Sequence, residues 1–215
     1  MTRLVSLPRL RRSPATLALS LLLVATSAGS LSACAPLIVG GAMVSGTMMY
    51  TDRRTSGAQV EDQSIELKAI NRLTEALGDR AHINITSYNR MLLMTGEALS
   101  EADKATAEQA VRRVENVRAV VNEVAVMGAS SVTSRSNDTI LSGKVKASFV
   151  DAKDLTANAL KVVTERGTVF LMGRVTEREA GRATDVARSV SGVQRVVRVF
   201  ELISEAELAE LQPKK

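Results

Sequence analysis

The chain has 215 residues, which allows one or two domains with ordinary hydrophobic cores. Its formal charge of +5 depends on four arginines that precede Cys34, where no acid occurs; the remainder holds 24 basic and 23 acidic residues. This balance, with no Trp and few other aromatic residues, argues against nucleic-acid binding. A single Cys excludes an internal disulfide, and a single His excludes most zinc sites and catalytic triads.

The N-terminal segment has the pattern of a secretory signal. Residues 1–14 are basic and 15–28 are apolar, and the small residues before Cys34 complete a signal peptide over 1–33. The string LSAC resembles a bacterial lipobox, which implies cleavage before Cys34 and acylation of that residue, an incidental cysteine being the alternative. Several acyl chains make a firm membrane anchor. Because Ala35 and not aspartate follows, the outer membrane is the favoured destination.

Residues 34–61 are predicted to be a lipidated tether followed by a polar linker. The uncharged part, 35–50, is too short to cross a bilayer even if it were fully helical. A re-entrant or partner-bound segment is the alternative.

The rest of the chain is organised around an internal repeat. The stretch 170–203 has a weaker copy at 93–126, and both read as strand, glycine, capping residue, alanine-rich helix, turn and valine-rich strand. A period of about 76 residues that occurs only twice predicts tandem domains and not a solenoid.

Matching residues in the two copies are predicted to set backbone geometry. A hydroxyl with an acid three residues later predicts a helix N-cap, and glycine or asparagine past a helix end predicts a left-handed stop. These structural turn and cap residues are Gly96, Ser100, Asn116, Gly173, Thr176 and Gly192.

Each copy extends N-terminally into a helix and a strand pair, which gives the order α-β-β-α-β. The predicted class is α+β, with two helices packed on a small three-stranded mixed sheet in each domain. The predicted boundaries are 62–127 for the first domain, 128–136 for a linker, 137–203 for the second domain and 204–215 for a frayed helical tail.

The strand endings VENVRAVVNEV and VSGVQRVVRVF, in this α-β-β-α-β order, resemble BON domains. The strings TDRRTSGAQVEDQSIEL, NDTILSGKVKASF and VTERGTVFLMGRVTEREA, behind a lipobox, are similar to outer-membrane lipoproteins with two BON domains. That resemblance implies a periplasm-facing, non-enzymatic lipoprotein that supports outer-membrane integrity and is enriched at division sites. It also implies that the first helix of the second domain binds anionic phospholipid in the inner leaflet of the outer membrane.

The helix predicted at 138–150 has an unusual outward face for a soluble domain. Leu141, Val145 and Phe149 form its core side, whereas the opposite side is uncharged apart from lysines. Such a face fits shallow burial at a headgroup boundary, and packing against the first domain is the alternative. Ile140 stands where the similar proteins carry a tryptophan, so membrane affinity would either be lower or depend on Phe149 and Val150. The predicted phospholipid-binding residues are Ile140, Gly143, Lys144, Lys146, Ala147, Phe149 and Val150.

No catalytic residue, metal site or cofactor motif is predicted. His82 has no second histidine or available thiol beside it and is interpreted as a surface or turn residue. Met91, Leu93, Phe170 and Met172 are expected on sheet faces opposite the helices, either covered by the other domain or used for binding. The leading hypothesis is therefore an anchored phospholipid-binding protein, and the second is a periplasmic adaptor that binds an envelope protein such as outer-membrane assembly machinery.

Overall fold

The computed structural model describes residues 52–211, so the predicted signal peptide, Cys34 and most of the tether lie outside it. In the first domain, helix α1 spans Ser56–Leu77 and continues into a 3-10 turn at Gly78–Arg80. Strands β1 (Ala81–Tyr88) and β2 (Met91–Ala98), helix α2 (Glu101–Arg112), and strands β3 (Ala119–Asn122) and β4 (Ala125–Val126) follow.

The second domain repeats this order. Helix α3 spans Val132–Asp151, and a 3-10 turn at Ala157–Ala159 leads into strand β5, Leu160–Glu165. Strand β6 (Thr168–Val175), helix α4 (Glu177–Ser189) and strand β7 (Arg195–Leu202) complete it, and helix α5 (Glu205–Leu211) ends the described chain. The predicted α+β class and the α-β-β-α-β order in each domain are confirmed.

Both sheets are mixed. In each domain the hairpin strands pair antiparallel, and the last strand pairs parallel with the second hairpin strand. In the first domain this last strand is broken, because the Val124 N–H donates to the Asn122 side chain and not to the ladder. The break leaves β3 and β4 as separate pieces on β2, where the sequence predicted one strand.

Two helices begin earlier than predicted. α1 starts at Ser56, inside the predicted 34–61 segment, and α3 starts at Val132, inside the predicted 128–136 linker. Thr55 and Ser131 cap these helices with their side-chain oxygens. The first turns are rich in serine and glutamine and lack apolar periodicity, so their composition resembled that of a linker.

The C-terminal segment also differs from the prediction of a frayed tail. α5 is docked, since Leu208 is buried and Glu207 forms an ion pair with Arg174. Residues 212–215 of that predicted tail lie outside the described residues.

Each domain buries its helices against one face of its own sheet. In the first domain Ile65, Ala69 and Leu73 of α1 meet Leu92 and Met94 of β2. In the second, Val145 and Phe149 of α3 meet Val169 and Leu171 of β6. Ala107 in α2 and Ala183 in α4 are fully buried, and their small side chains let these helices lie close to the sheet.

The opposite sheet faces pack against each other and join the two domains. Tyr88 and Leu93 of the first domain form one buried cluster with Phe170, Met172 and Val199 of the second. The apolar patches expected at Met91, Leu93, Phe170 and Met172 are therefore covered by the partner domain, which decides between the two alternatives for them.

The contacts at this interface occur in pairs related by a pseudo-twofold exchange of domains. Hairpin residues of the second domain follow their counterparts by 77 positions, and last-strand residues by 76. Asn84 bonds Glu165, and with the roles exchanged Lys161 bonds the Ser87 carbonyl. Likewise Arg118 pairs with Glu201, and Arg195 pairs with Glu123. The residues of each exchanged pair occupy equivalent positions in the two domains to within two residues. The domains therefore pack as the subunits of an isologous dimer would.

The matching glycines differ in role from the prediction. Gly96 and Gly173 lie inside β2 and β6 and not in turns. A Cβ at Gly96 would lie 2.1 Å from the His82 carbonyl oxygen, and one at Gly173 would lie 2.5 Å from that of Ala159. Both glycines are therefore needed for close approach of neighbouring backbone.

The helix ends of the repeat are built from matching residues. Ser100 caps α2 by accepting from the Asp103 N–H, and Thr176 and Glu179 form a reciprocal capping box on α4. Asn116 and Gly192 follow the helices with φ of +66° and +101°, the left-handed region that these residue types tolerate.

Candidate functional site

Helix α3 has a buried side and a fully separate outward side. Leu141, Val145 and Phe149 face the core of the second domain. The predicted site residue Phe149 is only 1% exposed, so its assignment to the phospholipid-binding set is wrong. Its i+4 spacing from Val145 places it in the core stripe, and the ring is fully used in intradomain packing.

The other six predicted site residues, Ile140, Gly143, Lys144, Lys146, Ala147 and Val150, are not buried in the second-domain core. Ile140 and Val150 keep 59% and 71% of their surface in solvent. The alternative that this face packs on the first domain is therefore wrong, because the domains meet through their sheets.

The exposed face extends further along α3 than the sequence suggested. Val132, 73% exposed, and Ser136 continue the line at helical spacing toward the N-terminus. We call this line of uncharged residues the α3 ridge; it comprises Val132, Ser136, Ile140, Gly143, Ala147 and Val150. At 1.5 Å per residue it runs roughly 27 Å. The sequence signal for the N-terminal part of the ridge was Val132, eight residues before Ile140, but that stretch was assigned to the linker.

Two lysines flank the α3 ridge on opposite sides. Lys144 and Lys146 are exposed, and within residues 52–211 neither forms an ion pair or hydrogen bond. Arg135, nearer the N-terminus, is instead placed beside His82, with Nη1 3.2 Å from the His82 Nε2. His82 itself lies on β1 and is half-buried, so of the two alternatives, a surface or a turn residue, the turn is excluded.

A groove borders the ridge on the Lys144 side. It has a volume of about 580 Å³ and lies between α3, the β5–β6 turn and the loop after α4. Its walls include Asn137, Ile140, Lys144, Ser191 and Gln194. The ridge is thus bounded by a mixed polar surface that carries the Lys144 ammonium group.

The position of α3 is fixed by a buried aspartate. The Asp138 carboxylate accepts the backbone N–H groups of Arg166 and Gly167, both at 2.8 Å, in the turn between β5 and β6. Arg166 and Gly167 both have a positive φ in this two-residue turn, and the Asp138 carboxylate supplies the hydrogen-bond acceptor for their N–H groups.

The first domain contains the same device. Asp62 of α1 accepts the N–H groups of Asn89 and Arg90, both at 2.8 Å, in the turn between β1 and β2. Burial alone would raise the pKa of Asp62, but bonds from Ser87, the turn and Arg54 outweigh it and lower that pKa. The sequence reasoning missed both aspartates, although their separation of 76 residues matches the repeat.

Between the domains lies a group of buried carboxylates. Burial raises the pKa of Glu165, and the nearby Glu97 and Asp138 raise it further, against the effects of Asn84 and Arg166. Glu97 is 1% exposed and pairs with Arg166 at 3.3 Å. Asn84 donates to Glu165 and Arg166 donates to Glu97, so these side chains link the two domains.

Metal sites and membrane spans are both lacking in the described part of the chain. Residues 52–211 contain no group of three or more His, Cys, Asp or Glu side chains placed to hold a metal ion. None of the helices in that range is both long enough and apolar enough to cross a membrane.

The chain is similar in sequence to several named bacterial proteins. The chain is 36% identical over 176 residues to "Outer membrane lipoprotein DolP" of Haemophilus influenzae, covering 80% of this chain and 90% of that protein. It is 30% identical over 154 residues to the "21 kDa hemolysin" of Actinobacillus pleuropneumoniae, covering 71% of this chain and 79% of that protein. It is 27% identical over 117 residues to "Osmotically-inducible protein Y" of Escherichia coli, covering 53% and 58%.

The family model of the BON domain matches twice, over residues 61–128 and 137–203. These two ranges coincide with the two α-β-β-α-β units and account for more than half of the chain. The chain belongs to the BON-domain family, with two tandem copies of the domain.

Proposed function

We propose that this protein is a non-enzymatic outer-membrane lipoprotein, anchored through Cys34 and facing the periplasm, which binds anionic phospholipid through α3. The observation that carries the proposal is the α3 ridge, an exposed uncharged line flanked by Lys144 and Lys146. In its membrane-supporting role the protein would act from the inner leaflet of the outer membrane, with enrichment at division sites.

The ridge is unusual in comparison with α4, the other helix of this domain. α4 exposes charged residues on its solvent side, as a soluble helix normally does: Glu177, Arg178, Arg182, Asp185 and Arg188. α3 instead leaves Val132, Ile140 and Val150 in water. Complete burial of one such side chain contributes roughly 1.5–3 kcal/mol, and shallow burial at a headgroup boundary contributes part of that.

The expected affinity of α3 alone is modest. Two lysines near an anionic surface contribute roughly 1 kcal/mol each. Together with shallow apolar burial, this offsets only part of the several kcal/mol lost when a free protein becomes immobilised. A lipid anchor on the same chain would supply effective concentration and turn the weak contact into a useful one.

Similarity to a named outer-membrane lipoprotein supports the location. That relative matches over nine-tenths of its own length, and the LSAC string at Cys34 supplies the attachment point. Attachment through Cys34 rests on the sequence, since that residue lies outside the described range.

A second function, a periplasmic adaptor for envelope machinery, is favoured by one observation on the first domain. The solvent side of α1 exposes Val60, Leu67 and Ile70, at i, i+7 and i+10. An exposed apolar line of this kind is typical of a protein-docking surface. It belongs to the other domain, so it can be tested separately from α3.

The test is vesicle binding by residues 51–215, which carry both domains and no acyl chain. We expect binding to anionic vesicles and little binding to neutral ones, because the lysines are attracted to the negative surface potential. Binding should weaken as salt is added, because salt screens this attraction. The double variant Lys144→Glu/Lys146→Glu should lose most of this binding.

A matched control carries the same charge change on the first domain. Arg72→Glu/Arg113→Glu alters two exposed cations that make no ion pair within the described residues, and should bind vesicles like the parent. Equal losses in both variants would indicate a general charge effect. Absence of binding by the folded parent would contradict the lipid proposal and favour the adaptor.

A further inference from the structure

Three consecutive residues before α1 contact both domains. Asp52, Arg53 and Arg54 precede the Thr55 cap, and we call this segment the strap. In the sequence these residues lie in the polar part of the predicted 34–61 segment.

Arg53 ties the strap to the second domain. Its Nη1 and Nη2 donate to the two carboxylate oxygens of Glu179, both at 2.7 Å, and both side chains are only 7% exposed. The Arg53 Nη1 also donates to the Arg174 carbonyl at 2.8 Å, and Arg174 Nη1 donates back to the Arg53 carbonyl at 3.1 Å. Backbone and side chain are thus both held by residues more than 120 positions away.

Arg54 ties the strap to the first domain. It donates to Asp62 at 2.8 Å and to Asp52 at 2.7 Å, and its guanidinium lies 4.3 Å from the centre of the Tyr88 ring. Asp62 holds the β1–β2 turn, and Tyr88 belongs to the cluster between the sheets. The strap therefore reaches the interface itself from the first-domain side.

The strap breaks the pseudo-twofold relation between the domains. The interface contacts of Asn84, Lys161, Arg118 and Arg195 occur in exchanged pairs, whereas the position 76 residues after Arg53 is Ala129. The second domain has no arginine there to return the contact. The buried ion pair is therefore an addition to the repeated architecture and not a consequence of it.

We propose that the strap is a clasp that keeps the two domains closed on each other through the ion pair of Arg53 with Glu179. With Arg53 seated, the sheet faces that bear Leu93, Phe170 and Met172 stay covered. When Arg53 is withdrawn, Glu179 is left buried without its cation, and separation of the domains becomes easier.

The test is the rate at which a thiol reagent labels cysteines placed at two buried positions. Residues 51–215 contain no native cysteine, so each variant has one reactive thiol. Val199→Cys reports opening of the interdomain face, where Val199 is 5% exposed. Val145→Cys reports opening of the second domain's own core.

We expect Arg53→Ala to raise the labelling rate at position 199 by at least about tenfold, because breaking a buried ion pair shifts an equilibrium by more than that. The rate at position 145 should be unchanged. The control is Arg178→Ala, an exposed arginine of α4 with a loose 3.6 Å contact to Glu205, and it should alter neither rate.

Three outcomes would overturn the clasp: no change at position 199 in Arg53→Ala, an equal increase at both positions, or the same increase in Arg178→Ala. A shortened chain that begins at Thr55 removes the whole strap, keeps the cap of α1 and provides a second variant. It should reproduce the selective increase. Because no vesicle is present, the result is independent of whether α3 binds lipid.

Discussion

Two glycines, one in a strand and one in a helix, have opposite structural roles. Gly96 has φ of +107° and backbone directly beside its missing Cβ, whereas Gly143 on α3 has nothing within 4 Å of that position. The fold requires a glycine at position 96, whereas Gly143 only leaves the helix surface without a side chain. The repeat pointed to Gly96, but only the structure shows that its partner is the His82 carbonyl.

Alanine substitution should separate these roles. Gly96→Ala should lower the free energy of unfolding by at least about 2–3 kcal/mol, through the positive φ and the clash. Gly143→Ala should raise it by roughly 0.5–1 kcal/mol, because alanine costs less conformational entropy in a helix. Denaturant unfolding of residues 51–215 measures both, and a Gly96→Ala protein as stable as the parent would contradict the strained-backbone argument.

Glu165 should weaken the fold at neutral pH. Its pKa is raised by burial and by Glu97 and Asp138, so the folded state binds a proton more tightly than the unfolded chain does. An acid of this kind opposes folding above its folded pKa, and the penalty disappears as the pH falls through that pKa and the ordinary value near about 4.3.

Glu165→Gln should therefore raise the melting temperature at pH 7, while the glutamine oxygen can still accept from Asn84. The difference from the parent should shrink steadily toward pH 4. Thermal unfolding across that range measures it. A Glu165→Gln protein that is less stable at pH 7 would show that the carboxylate makes a net favourable interaction there.

At the scale of single elements, the outward face of α3 was predicted from the sequence, but the N-terminal part of the helix was not. Its 3.6-residue period was enough to separate Ile140, Lys146 and Val150 from the core side, because periodicity decides which face is buried. Its beginning was not predicted, because residues 131–137 contain one valine and otherwise polar residues, and the helix start depends on the Ser131 side-chain cap. Phe149 shows the limit of composition, because an aromatic residue near an apolar outward face still belongs to the core.

The α3 ridge should bind vesicles more strongly when its apolar anchor is enlarged. Ile140→Trp should tighten binding to anionic vesicles about fivefold, since tryptophan offers more apolar surface and a polar N–H suited to the interface. Leu67→Trp, at a site 65% exposed on α1, is the matched control and should not change binding. Equal gains at both sites would mean that any exposed tryptophan suffices and that α3 is not special.

At the scale of the whole molecule, local patterns predicted the two domains but not how they join. Helix caps and strand alternation are patterns within short stretches of sequence. Together with the repeat they predicted the α-β-β-α-β order. The pairing of Arg53 with Glu179 spans 126 residues and has no local signature. The two buried aspartates were partly predictable. Extending the alignment of the two copies by one helix toward the N-terminus would have paired Asp62 with Asp138.

The pseudo-twofold interface has a consequence for the history of the chain. A face that packs on a copy of itself is what a homodimer uses, so this arrangement is expected if a gene for a dimeric one-domain ancestor was duplicated and fused. After fusion the two halves no longer had to share one sequence. The outward sides of the two first helices now differ, with Ile140 and Val150 exposed on α3 and Lys68 and Glu75 exposed on α1. Divergence of this kind lets a symmetric scaffold present a different surface on each side.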